Sequence, residues 1–163
     1  MELDLKPIKL LGNLNAKELW PTLNIAMLGW ALLAFAPRWK YTKILTLLPP
    51  IFHALIYSLT LISLILTESD ASADFFSLEG VVAMFKDPTT VFAGWVHYVV
   101  FDLLIGRGIV LDSVARDVGI VGHVVFIVPC LFFTLMSGPF GFLLYVIISN
   151  TLLPAKQTKD KKM

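Results

Sequence analysis

Residues 95–107 read WVHYVVFDLLIGR, a run apolar enough to enter a bilayer that nevertheless carries His97, Asp102 and Arg107. Ionisable groups at such depth are costly and mark functional sites by default. A carboxylate held ionised by a nearby guanidinium is a candidate base, and a phenol or an imidazole is a candidate acid. On this logic Asp102, Tyr98, Arg107 and His123 are the candidate catalytic residues. Trp95, His97, Phe101, Asn24, His53, Asp112 and Arg38 are candidates for contact with a substrate. Each also has a plainer reading. Asp102 with Arg107 could be an ion pair ending a helix at the membrane edge. His53 and His97 could hydrogen-bond between helices, Asn24 could do the same, and the tryptophans could anchor the interfaces.

Other chemistries find little support. The histidines stand at 53, 97 and 123 with no paired metal-ligand spacing, so no metal is expected. There is no Gly-rich phosphate loop, no Cys-x-x-Cys and no nucleophile elbow, and no cofactor is expected. Cys130 is the single cysteine, so no intrachain disulfide can form.

These side chains must be positioned by membrane helices. The chain has 163 residues, 57% hydrophobic and 15% charged, against roughly 45–50% and 25% in soluble domains. The net charge of +1 gives no reason to expect nucleic acid. A hydrocarbon core of ~30 Å needs about 20 apolar helical residues. Four stretches qualify, at 19–36, 44–66, 88–106 and 120–150. The expected fold is all-α: a polytopic membrane helical bundle with about four transmembrane helices. Pro49-Pro50 should kink or restart the second span. The fourth run would reach ~46 Å as one helix, too long for an upright span. It is expected to be long and kinked or broken at Gly138-Pro139. A tilted single helix is the first reading, and two segments folded back on each other the second.

A polar N-terminal segment, 1–18, precedes a single transmembrane helical domain at 19–153, and a flexible basic tail follows at 154–163. Between the second and third spans, a short connector helix is expected near 77–86. It would lie on the membrane surface or cover the bundle, with Leu78, Val81, Val82 and Phe85 on its apolar side. With four crossings, one side holds eight basic residues: Lys6, Lys9, Lys17, Lys86, Lys156, Lys159, Lys161 and Lys162. The other holds five: Arg38, Lys40, Lys43, Arg107 and Arg116. If the last run folds back, the tail changes side and the bias reverses, so the rule that positive charge stays inside leaves orientation open.

The order of several features carries a resemblance. Asn24, Gly29-Trp30 and Pro37-Arg38 lie in LNIAMLGWALLAFAPRWKYTKIL. There follow SLEGVVAMFKDP, GWVHYVVFDLLIGR, Asp112, His123 and VPCLFFTLMSGPFGFLLY. As a set, over roughly 19–148, the chain resembles the abscisic-acid-deficient-4-like family of small membrane proteins. The resemblance implies a link to the isomerisation of violaxanthin to neoxanthin in carotenoid and abscisic acid biosynthesis, without a redox cofactor. The alternatives are a non-enzymatic scaffold that binds a carotenoid or other isoprenoid lipid, and a small proton-linked transporter. Expected partners are membrane lipids, a carotenoid or isoprenoid ligand, and a homo- or hetero-oligomer. The opening MELDLKPIKLLGN lacks the features of a signal or transit peptide. A plastid envelope or thylakoid location is therefore expected only from a photosynthetic source.

Overall fold

The computed structural model describes residues 5–67 and 74–155. Every regular element named below is helical. In chain order they are α1 (Ala16–Leu19), a 3₁₀ turn (Trp20–Asn24), α2 (Ile25–Phe35), α3 (Thr42–Leu45), α4 (Leu48–Thr67) and α5 (Leu78–Met84). There follow α6 (Pro88–Ala115), α7 (Ile120–Gly122), a π turn (His123–Ile127), α8 (Val128–Ser137) and α9 (Pro139–Thr151). The basic tail beyond Ala155 and the acidic part of the connector at 68–73 lie outside the described residues.

Three stretches are long and apolar enough to cross a membrane: Ala16–Phe35, Thr42–Thr67 and Ile120–Ser137. Helix α6 has the length, about 42 Å at 1.5 Å per residue, but carries Asp102, Arg107 and Asp112. It continues past the Gly106–Gly108 region, where the third apolar run gives out. Helical hydrogen bonding needs no apolar side chains, so loss of hydropathy does not end a helix. Pro49 and Pro50 sit in the first turn of α4, where a missing N–H costs nothing. The chain restarts there rather than kinking.

The chain divides into two compact units. The first comprises 1–25 and 51–100. Its N-terminal segment turns back at Gly12 and Asn13, both with positive φ, and Ile8 pairs with Leu14. The Lys9 N–H donates to Ser63 Oγ at 3.1 Å. Asn15 and Glu18 form a reciprocal capping box on α1, satisfying donors that the first turn leaves open. Buried Phe92 and Val96 of α6 and Ile56 of α4 belong to this unit's core. Ser77 caps α5 through the Gly80 N–H at 3.0 Å. Asp74 accepts from the Phe76 N–H at 2.9 Å and from the Ser77 hydroxyl. On α5, Leu78 and Val82 stay exposed, as suits a helix lying in the interface. Phe85, just past its end, occupies the space a Cβ on Gly94 would take.

The second unit comprises 26–50 and 101–163. Helices α2 and α6 cross closely here: Leu103 lies over Gly29, and the Trp30 ring fills the space beside Gly106. Small residues at such crossings let backbones approach, which is what packs helices inside lipid. Pro129 has no N–H to give to Val125 and its ring crowds that carbonyl. The His123–Ile127 stretch just before it adopts the wider π pattern.

At Gly138 (φ 45°, ψ −94°) the helix breaks, as the Gly-Pro pair suggests. Of the two readings of this run, the fold-back is the one adopted. A Cβ on Gly141 would run into the Thr134 nitrogen and stand 2.6 Å from the Cys130 carbonyl oxygen. Helix α9 therefore lies directly on α8, and it returns as far as the π turn. At 13 residues, about 20 Å, α9 is too short to cross the hydrocarbon core by itself.

Candidate functional site

The polar groups of the second unit gather at the end where α2 stops and α6 finishes. The 36–42 loop is pinned by the Thr42 hydroxyl, which donates to the Ala36 carbonyl at 2.6 Å. Arg38 then reaches the loop after α6. Its NH2 donates to Asp117 Oδ1 at 2.8 Å and to the Val118 carbonyl at 2.9 Å. Asp117 has φ 56°, a left-handed conformation that Asp tolerates better than most residues.

Between these elements lies a cavity of about 240 Å³, lined chiefly by Phe35, Arg38, Trp39, Ser113, Ile120 and His123. Small-molecule sites usually measure ~300–1,000 Å³, so this one admits one ring-sized end of a long ligand rather than the whole. His123 is buried, and its Nε2 lies 3.1 Å from the Ala34 carbonyl oxygen. A carbonyl can only accept, so Nε2 carries the proton and Nδ1 of the neutral ring is an acceptor. Arg38 supplies donors: only its NH2 has partners among the described residues.

A second polar cluster ties α9 to α6. Asp112 Oδ2 accepts from the Tyr145 hydroxyl at 2.6 Å and from Arg116 Nε at 2.7 Å. Arg116 NH1 goes on to the carbonyls of Ser149 at 3.2 Å and Pro154 at 3.1 Å. The C-terminal end of α9 thus lies at the Arg116 end of α6.

The remaining candidates occupy other places. Arg107 donates from NH2 to the Lys43 carbonyl at 3.0 Å, not to Asp102. Five residues of helix rotate one side chain ~140° from the other, which separates them. Asp102 lies against Gly138 at the α8–α9 break, ten residues or ~15 Å along α6 from Asp112. Phe101 is half-exposed, and neither it, Asp102 nor Arg107 lines the cavity.

In the first unit His53 is fully buried, with Nε2 3.0 Å from the Thr22 carbonyl oxygen, so it ties α4 to the 3₁₀ turn. The rings of Tyr57 and His97 stand 5.6 Å apart. Trp95 stacks on Trp20 at 6.0 Å, both half-exposed. Tyr98 and Asn24 are exposed. Among the described residues no three His, Cys, Asp or Glu side chains group to hold a metal ion.

Two participants escaped the sequence reading. Tyr145 is 33 residues from Asp112 and Asp117 is 79 from Arg38, so no local spacing links either pair. The one visible sign was a phenol inside an otherwise apolar helix.

Apolar helices of spanning length define a small helical integral membrane protein with a polar cavity at one end of its second unit. Residues 20–145, most of the chain, match the family described as ABA DEFICIENT 4-like, and the chain belongs to that family. No curated protein and no solved structure matches it.

Proposed function

We propose that this protein isomerises the epoxide end group of a carotenoid, as in the conversion of violaxanthin to neoxanthin, with the ring seated in the cavity beside Arg38 and His123. Family membership and the membrane setting support the substrate class. The observation that carries the reading is the cavity itself, which has a fixed guanidinium and a fixed imidazole on its wall. The reaction breaks one epoxide C–O bond, removes a proton from the neighbouring chain carbon and returns a proton to the oxygen. Nothing is oxidised or reduced, so no redox cofactor is required.

The two side chains divide that work. Unused N–H groups of Arg38 stabilise charge developing on the epoxide oxygen. His123 Nδ1 takes the carbon-bound proton, and its Nε2–H bond to Ala34 fixes the tautomer that makes this possible. Asp102 and Arg107 then serve structure rather than proton transfer. The rest of the polyene lies in the surrounding lipid, where it needs no protein cavity.

The test is reconstitution of the full chain in lipid nanodiscs with violaxanthin, followed by chromatography of the pigments. Conversion that falls about 100-fold or more in His123→Phe and in Arg38→Gln supports the assignment. Pigment that is bound but never converted points instead to the scaffold reading. Conversion unaffected by both variants overturns the cavity as the reacting site.

A further inference from the structure

We infer that Arg107, with Lys43, forms a binding site for the phosphate of an anionic phospholipid at the membrane interface. The inference does not depend on the carotenoid reading. The Arg107 guanidinium is held in place, and no acid among the described residues neutralises it. Its NH2 donates to the Lys43 carbonyl at 3.0 Å, and its Nε is buried with no partner among the described residues. Among those residues, one of its five N–H donors is met by a neutral group and none by a carboxylate.

The nearby acids are committed elsewhere. Asp117 pairs with Arg38 and Asp112 with Arg116. Asp102 lies against Gly138, rotated ~140° around α6 from Arg107. Lys43 is exposed beside Arg107 and forms no ion pair among the described residues, and Lys40 lies over the Tyr41 ring at 4.7 Å.

Depth supplies the second line of argument. Lys43 lies in α3, just before α4 begins its apolar run at Leu48. The Arg107 bond to the Lys43 carbonyl therefore places the guanidinium at the level where the chain enters the membrane. Lipid phosphates are concentrated at that level, and a planar guanidinium matches their oxygens bidentately. Basic side chains at a helix–helix junction there recognise anionic head groups.

The experiment uses the full chain in nanodiscs holding phosphatidylcholine and phosphatidylglycerol in equal parts, with retained lipid identified by native mass spectrometry. Phosphatidylglycerol should be retained about tenfold over phosphatidylcholine, the scale expected of two cations near the head groups. Arg107→Gln should bring the ratio close to one, and Arg107→Lys should leave part of the preference. If Arg107→Gln fails to fold, Lys43→Gln, at an exposed position, still lowers the ratio. A ratio unchanged in both Gln variants overturns the site. A parallel arm adds inorganic phosphate to phosphatidylcholine discs. Thermal stabilisation equal to that given by phosphatidylglycerol would mean a site for the free anion, and the lipid assignment would fall.

Discussion

The Asp102 carboxylate lies against Gly138: its Oδ1 is 2.7 Å from where a Cβ on that glycine would stand. Gly138, with φ 45°, closes α8 and opens the 13-residue helix α9. Glycine serves there on two counts: it takes the positive φ, and its missing side chain leaves room for the carboxylate.

Gly138→Ala should therefore be costly twice over, through its positive φ and through the clash with Asp102. We expect a loss of about 1–3 kcal/mol, measured as a lower midpoint of thermal unfolding in detergent. Gly108→Ala is the control. That helical position has open space around its Cβ site, and the change should be neutral or slightly stabilising. Equal effects at the two positions would refute the account of the break.

The fold-back of α9 onto α8 depends on Gly141. Gly141→Val should force the two backbones apart and lower stability by more than the ~1–3 kcal/mol of ordinary overpacking. Spin labels at the exposed positions Val125 and Ile147 should lie far closer than the ~33 Å that 22 residues of continuous helix would put between them. A separation of that full length would argue for a single continuous helix.

Tyr145 and Arg116 share one oxygen of Asp112, so their contributions should not add. Tyr145→Phe is expected to cost about 1.5–3 kcal/mol, as for a hydrogen bond to a charged group. In a double-mutant cycle with Arg116→Gln, a coupling of about 0.5–3 kcal/mol should appear. Strict additivity would mean the cluster is not a unit.

The cap of α5 should be pH-sensitive. Hydrogen bonds from the Ser77 hydroxyl and the Phe76 N–H hold the exposed Asp74 carboxyl below its usual value of 3.8. A depressed pKa stabilises the folded cap above the unfolded pKa, and that support is lost as pH falls through the folded one. Amide exchange at Gly80 should accordingly rise, relative to intrinsic rates, below about pH 4. Asp74→Asn should remove this pH dependence, and its persistence in that variant would assign it elsewhere.

Some of this architecture was legible from residue types alone. Adjacent Gly138 and Pro139 announce a break, and Pro49-Pro50 announce a restart, because both act on the backbone locally. The direction of the chain after Gly138 was not legible. It turns on which backbone Gly141 admits, and Thr134 and Cys130 bear no mark of that role. Arg38 and His123 stood out as polar residues near helix ends. That they line one cavity depends on the Arg38 bond to a loop 79 residues away. The expected Asp102–Arg107 partnership weighed proximity in sequence over rotation about the helix. Five residues is close along the chain and nearly opposite around it.

The π turn at His123–Ile127 has a consequence for how the protein tolerates length changes. A π turn is a helix holding one residue too many, so the chain carries a spare residue between His123 and Pro129. Removing one of Val124, Val125 or Phe126 would leave an ordinary α-helical register. Because the π turn takes up its extra residue within a single turn, the segments on its two sides would keep the faces they now present: His123 toward the cavity, Cys130 and Thr134 toward α9. The same deletion in a regular stretch of helix would turn one half by ~100° against the other. The wide turn is thus the one place in this run where a residue can be lost without moving either packed face.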